Sequence, residues 1–250
     1  MGWYLGNEKQ MIKYPLEKGY PNLNYISNNW PRTKSILKKF ILSNHKKPDL
    51  FYLTKICLKE LKVCNFKNYE VALRKLSKIC SRNIYYNTYH DQHHFKTVMI
   101  LSCFLAKKIN LKYRDRILLI IIALTHDMNH QGRRISIKKA FYQEEKSYND
   151  LKRVLFKNIL SFKEITRIKR IFKSTYFPVK PKNVVDDLER IILDADILAS
   201  LMFGPTVGLK LASRLKQEIR YDSESELLFS NFLKLLGDKC LYLDYSKDSC

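Results

Sequence analysis

This chain has few acidic residues beside its basic ones. Its 250 residues hold 24 Asp and Glu against 46 Lys and Arg, a formal net charge of +22. A positive field of that size attracts anions, with phosphate the obvious class. The basic residues are scattered, as on solvated helix faces, and not gathered in one block. The partners such a charge admits are small phosphorylated substrates, nucleic acid and an anionic membrane surface. Glycine and proline are also few, 7 of each, which excludes a low-complexity or fibrous chain. None of the six cysteines forms a C-x-x-C pair, and Cys103 lies in an apolar stretch where it reads as a small core residue. The strongest apolar run, 117–124, is far short of the ~20 residues of a membrane span and reads as a buried helix. Residues 1–10 are polar, without the apolar core of a secretory signal. The expected compartment is therefore a reducing cytoplasm. Strand-like alternation is hardly visible, and neither a repeat at solenoid period nor a convincing linker interrupts the chain.

What is present is helical periodicity and enough apolar material, 46%, for a real core. The length fits one domain of generous size. Residues 1–31, with Gly, Pro and Asn among Tyr and Trp, are expected to form an irregular arm packed through its aromatics. Residues 32–237 are expected to form one all-α bundle around a metal site, and 238–250 a frayed tail. Within the bundle the apolar spacing predicts helices over 33–42, 50–63, 69–80, from about His90 to 109, 113–130, 137–155, 162–173, 184–203, 207–219 and 225–236. A turn at 177–181 and a break at Gly204-Pro205 separate the later ones.

Four short groups carry chemistry. The first is Tyr89-His90-Asp91-Gln92-His93-His94, where a helix would put His90 and His94 on one face. The second is Thr125-His126-Asp127-Met128-Asn129-His130-Gln131-Gly132, with His126, Asp127 and His130 at i, i+1 and i+4. The third is Asp194-Ala195-Asp196 inside an apolar helix, and the fourth is Glu144-Glu145-Lys146-Ser147. A single histidine in an apolar helix is usually a satisfied core residue. Here five of the six histidines fall in two short segments, and an His-Asp dipeptide directly follows the longest apolar run. Burying that dipeptide with nothing to balance it would cost several kcal/mol. Imidazole and carboxylate together suit Zn, Mn, Fe or Mg. Two His and two Asp fill four positions of an octahedral ion and leave room for water. Asp127, with two oxygens, can bridge to a second ion. Two ions ~3.5–4 Å apart can hold a hydroxide and clamp an in-line displacement at phosphorus.

These residues resemble the H…HD…D pattern of the HD-domain metal-dependent phosphohydrolases. Tyr89-His90-x-x-x-His94-x-x-x-Val98 is similar to the Y-H-N-x-x-H-x-x-x-V signature of class I cyclic-nucleotide phosphodiesterases within that superfamily. His126-Asp127-x-x-His130-x-Gly132 is similar to their H-D-x-x-H-P-G, and Ala195-Asp196 to their downstream A-D. The resemblance covers about Tyr85 to Asp196, nearly half the chain. It implies an all-helical phosphodiesterase-like fold with two divalent ions. His94, His126, Asp127 and Asp196 would bind the first ion, and Asp127 would bridge to the second. It implies His90 as the acid for the leaving oxygen, and His130 and Glu145 behind the ligands. Arg133 and Arg134 would hold the substrate phosphate, or else cap a solvated turn. Asp91 stands where the family has Asn, and Gln131 where it has Pro. The spacing from His126 to Asp196 fits compact microbial HD proteins better than eukaryotic phosphodiesterases. The family clamps the base with a Gln shortly before a Phe; the comparable helix here reads Phe229-Ser230-Asn231-Phe232, which offers Phe232 and no Gln. Two choices stay open at this level. Tyr86-Asn87-x-x-His90 is an alternative register that would make His90 a ligand, and Asp194 competes with Asp196. The expected activity is hydrolysis of a phosphodiester, such as a 3′,5′-cyclic nucleotide. The alternatives are a nucleotide or alarmone phosphohydrolase on the same site, or a basic nucleic-acid or membrane-surface module that keeps only the scaffold.

Overall fold

The computed structural model of the protein describes residues 20, 22–43, 47–132, 139–155, 159–176, 184–237 and 241–247. Among them there are twelve helices and no strand. In chain order these are α1 (Leu23–Asn28), α2 (Lys34–Leu42), α3 (Leu50–Glu60), α4 (Lys67–Cys80), α5 (Gln92–Ala106) and α6 (Tyr113–Thr125). They continue as α7 (Tyr142–Leu155), α8 (Phe162–Ser174), α9 (Asp187–Leu201), α10 (Pro205–Ile219), α11 (Ser225–Leu236) and α12 (Asp244–Lys247).

Two helices apolar on every face fix the centre. Every residue of α5 from His94 to Ala106 is buried, and so is every residue of α6 from Ile117 to Thr125. A helix without a polar face must be surrounded. Here α9 and α6 pack along α5, α3 covers both α5 and α6, and α4 lies on α6. Each fully buried Leu, Ile or Phe in this layer contributes roughly 1.5–3 kcal/mol against exposure. One buried apolar cluster runs from Leu23 through α5, α6 and α9 to Leu241. No single described helix is long and apolar enough to cross a membrane.

Local chemistry sets the helix starts. Asn22, Asp49, Asp91 and Asp186 each accept a backbone N–H of the first turn of α1, α3, α5 and α9. Ser161 and Glu164 form a reciprocal capping box at α8. At Gly208 a Cβ would come within 2.4 Å of the Phe229 ring, so the glycine is what lets α11 press onto α10.

Several expected boundaries are corrected. The N-terminal arm is not wholly irregular: Leu23–Asn28 is helical and buries Leu23 and Ile26, while residues 1–19 lie outside the described part. Its aromatics do pack, Trp30 edge-on against Phe104 at 4.9 Å and Tyr20 against Phe40 at 5.3 Å. The C-terminal segment is not a frayed tail over 241–247. Leu241 is buried, and Tyr242 and Leu243 donate their backbone N–H groups to Asp194, 2.8 Å each. The helix expected over 113–130 stops at Thr125, because Asn129 adopts φ +56°, a left-handed conformation that Asn tolerates and a continuing helix forbids. The helix expected to include His90 starts at Gln92, because the Asp91 side chain caps it. The turn at 177–181 lies outside the described residues.

Candidate functional site

The ends of the two central helices meet. Asp91 Oδ1 accepts the backbone N–H groups of His93 and His94, and Arg214 Nη2 holds Asp91 Oδ2 at 2.6 Å. That cap fixes His94 in the first turn of α5. His126 is the residue that ends α6, with its Nδ1–H directed to the Ala123 carbonyl at 3.2 Å. This bond leaves the Nε2 lone pair facing inward. Asp127 follows in the turn, and α9 supplies Asp196 from the opposite side.

Four donors thus converge from three segments. His94 Nε2 lies 3.3 Å from His126 Nε2 and 3.3 Å from Asp127 Oδ2. His126 Nε2 lies 3.2 Å from the same Asp127 oxygen. Asp196 Oδ1 stands 3.6 Å from His94 Nε2 and 3.9 Å from His126 Nε2. Donors that share one ion at ~2.1 Å are about 2.9–3.4 Å apart at octahedral or tetrahedral angles, so the first three need almost no movement to do so. The His94 and His126 side chains are buried, whereas that of Asp196 is 30% exposed, so the cluster opens on the Asp196 side. Burial disfavours the His126 imidazolium, but Asp127 and Asp196 outweigh it and hold its pKa up at about 9. Burial likewise opposes the Asp127 carboxylate, and the facing histidines hold its pKa well below the usual range.

Beside this cluster stands a second one. His90 Nδ1 is 2.6 Å from Glu218 Oε1, and its Nε2 points to Asp127 Oδ2 at 3.9 Å. The His130 ring stacks on His90 at 3.5 Å with 21° between planes, its Nδ1 3.4 Å from the same Glu218 oxygen. Glu218 Oε2 accepts the backbone N–H groups of Tyr89 and His90. Three donors are close here too. Stacked rings, however, send their in-plane lone pairs nearly parallel, which suits a shared proton better than a shared ion. Burial works against a charged His90, yet Glu218 outweighs it and raises the pKa, while Glu218 is held far below its ordinary value despite its own burial. Burial and the neighbouring His90 charge push His130 down to about 4. Of the two rings, His90 is therefore the one whose charged form the surroundings favour. Gly132 lets the loop close over this pair, since a Cβ there would lie 2.6 Å from Asn87 Oδ1 and 3.3 Å from Glu218.

Of the residues singled out from sequence, the fold brings together His90, His94, His126, Asp127, His130 and Asp196. His90 precedes the helix instead of sharing a helical face with His94, yet their rings are 5.4 Å apart. Asp194 is engaged by the C-terminal segment and has no exposed surface, so Asp196 is the one that reaches the cluster. Tyr86, the partner in the alternative register, is 89% exposed. Glu145 is a correction: it is half-exposed and pairs with Lys173 at 3.0 Å, because the neighbouring position is the one on the inner face of α7. That neighbour, Glu144, is buried, its Oε2 has no hydrogen-bond partner among the described residues, and burial raises its pKa to about 7 next to Asp127. Phe232 sits on α11, its ring 6.4 Å from that of Phe229. Arg133 and Arg134 lie outside the described residues. Sequence reasoning missed Glu218 and Arg214, and within the Glu144-Glu145 pair it chose Glu145. Glu218 had a signal: it takes an apolar position in the stripe Val207, Leu211, Leu215, Glu218 of α10.

No model of a known protein family matches the chain, and no curated protein matches it.

Proposed function

We propose that the protein is a metal-dependent phosphohydrolase of the HD type acting on a phosphodiester. The observation that carries this reading is the 3.2–3.3 Å triangle of His94 Nε2, His126 Nε2 and Asp127 Oδ2, with Asp196 closing it from α9. Without a cation this buried set must hold a proton on an imidazole, and a divalent ion would take that proton's place. Zn, Mn, Fe or Mg fits the donor set, and Asp127 has a second oxygen for a neighbouring ion. Such ions would lower the pKa of water and neutralise charge building up on the phosphoryl oxygens.

The chain's own groups supply the rest. His94, His126, Asp127 and Asp196 would hold the ions and so orient the phosphorus. His90, whose charged form Glu218 favours, faces the cluster through Nε2 and would give its proton to the departing oxygen. Glu144, buried and near enough to Asp127 to feel its charge, would accept a hydrogen bond from the attacking water. A protonated acid matters most for an alkoxide leaving group. The pair of His90 and Glu218 therefore favours a phosphodiester over the diphosphate leaving group of a nucleoside triphosphate or alarmone.

Hydrolysis of bis(4-nitrophenyl) phosphate and of cyclic and linear diesters in Mn, Zn, Fe or Mg is the test. Turnover that chelation stops and Asp127→Ala abolishes is expected. No turnover of any diester with any of the four metals would reject the reading.

A further inference from the structure

Helix α4 ends one loop away from this site, and its outer face is basic. Lys75 and Lys78 follow at i and i+3, and Arg82 stands in the turn just past the helix end; all three are exposed, and none pairs with a carboxylate among the described residues. The only acid on α4, Glu70, is engaged by Arg74 at 3.4 Å. The inner face of the same helix end touches the metal-ligand segment, Cys80 Sγ lying 3.1 Å from the Leu124 carbonyl, two residues before His126.

The loop after α4 is stiff. The Asn83 amide donates to the Asn87 carbonyl, Asn87 N–H donates to Asn83 Oδ1, and the Asn87 side chain donates to the His130 carbonyl at 2.8 Å. Held between these bonds, Tyr86 adopts φ +55° and is 89% exposed. A single exposed aromatic is ordinary. A bulky residue kept in the left-handed region by a pinned loop, with its ring in water, is not, and such strain is a pointer to use. Only three residues separate Tyr86 from His90, so their Cα atoms are within ~14 Å of each other.

We infer that Tyr86 and the Lys75–Lys78–Arg82 stripe form an approach track for single-stranded nucleic acid, whose internal phosphodiester is the bond the site cleaves. The inference rests on the proposed hydrolase reading and narrows its substrate. Exposed cations on a helix end and the turn that follows it match a chain of phosphates, and a free aromatic face stacks on a base whatever its sequence. Paired bases would not offer that face, so a single strand fits and a duplex does not. A lipid surface fits less well, because Val71 and Ile84 are the only exposed large aliphatic side chains beside the stripe among the described residues. In the cleavage, the water oxygen bonds to phosphorus and the bond to the leaving ribose oxygen breaks. His90 passes its proton to that oxygen, and the proton released from water goes to solvent. One fragment ends in a phosphate and the other in a hydroxyl.

The test is fluorescence anisotropy of the full chain with a labelled 12-nucleotide single strand, alongside vesicles of phosphatidylserine and phosphatidylcholine. Wild type should bind the strand more tightly than the corresponding duplex. Tyr86→Ala should weaken strand binding roughly tenfold. The triple variant Lys75→Glu, Lys78→Glu, Arg82→Glu should weaken it further and flatten the log-affinity against log-salt slope by about two. Tyr86→Phe should bind as wild type, which separates stacking from a folding defect. Strand affinity unaltered in both Tyr86→Ala and the triple variant overturns the inference. So does a triple variant that loses vesicle binding and keeps strand binding. Binding does not require turnover, so the two readings fail separately. Strand binding without diester hydrolysis would sink the hydrolase alone, and hydrolysis of bis(4-nitrophenyl) phosphate without strand binding would sink the track alone.

Discussion

His90 and Glu218, 128 residues apart in the chain, are joined by a 2.6 Å hydrogen bond between Nδ1 and Oε1. Glu218 raises the His90 pKa and is itself held low by the histidine. A raised histidine stabilises the fold fully below its ordinary 6.5 and loses that contribution as pH rises through its folded value. A depressed carboxylate stabilises above its ordinary 4.5 and loses that as pH falls through its folded value. Glu218→Gln should therefore destabilise most between about pH 4.5 and 6.5, by about 2–4 kcal/mol. The gap to wild type should narrow at higher pH. Thermal melts across pH 4–9 check this; a gap independent of pH would mean that the pair carries no charge.

His90→Ala should keep metal and fold yet lose turnover on diesters with alkoxide leaving groups by ~10²–10⁴-fold. A nitrophenolate leaving group needs no acid and should be largely spared. Parallel assays on the two substrates check it. Equal losses on both, with metal retained, would remove the acid role, and loss of metal would make His90 a ligand.

Much of this was legible in the sequence. The apolar runs of α5, α6 and α9 declared an all-helical core, because a helix buried on all sides has no alternative reading at that length. The clustered histidines and acids stood out because charged groups at the ends of such runs need partners. The ends of those helices were not legible. A side-chain cap at Asp91 and a left-handed Asn129 decide them, and both override an apolar period that runs on past them. Nor was the choice between Glu144 and Glu145, where one residue of helical phase separates a buried carboxylate from one on Lys173.

That phase makes a prediction. If Glu144 takes the proposed role toward the attacking water, Glu144→Gln should lower kcat with the fold retained. Glu145→Gln should leave both kcat and KM unchanged. Steady-state kinetics of the two variants decide between them, and the reverse pattern would put the helix in the wrong rotation.

Asp194 and Asp196 should separate in the same way. Asp194→Ala leaves the N–H groups of Tyr242 and Leu243 without their acceptor, so it should cost about 2–4 kcal/mol in denaturant melts and keep the metal. Asp196→Ala should cost little stability and weaken metal binding. If Asp194→Ala were the variant that lost metal, the ligand assignment would have to move to it.

The metal content of the protein decides the central claim. Elemental analysis of wild type and Asp127→Ala, each dialysed against Mn or Zn at a series of pH values, measures it directly. In wild type, affinity should rise with pH up to about 9, because the ion must displace the proton that Asp127 and Asp196 hold on buried His126. Asp127→Ala should retain no stoichiometric metal at any pH. Wild type and variant equally free of metal throughout would contradict the account.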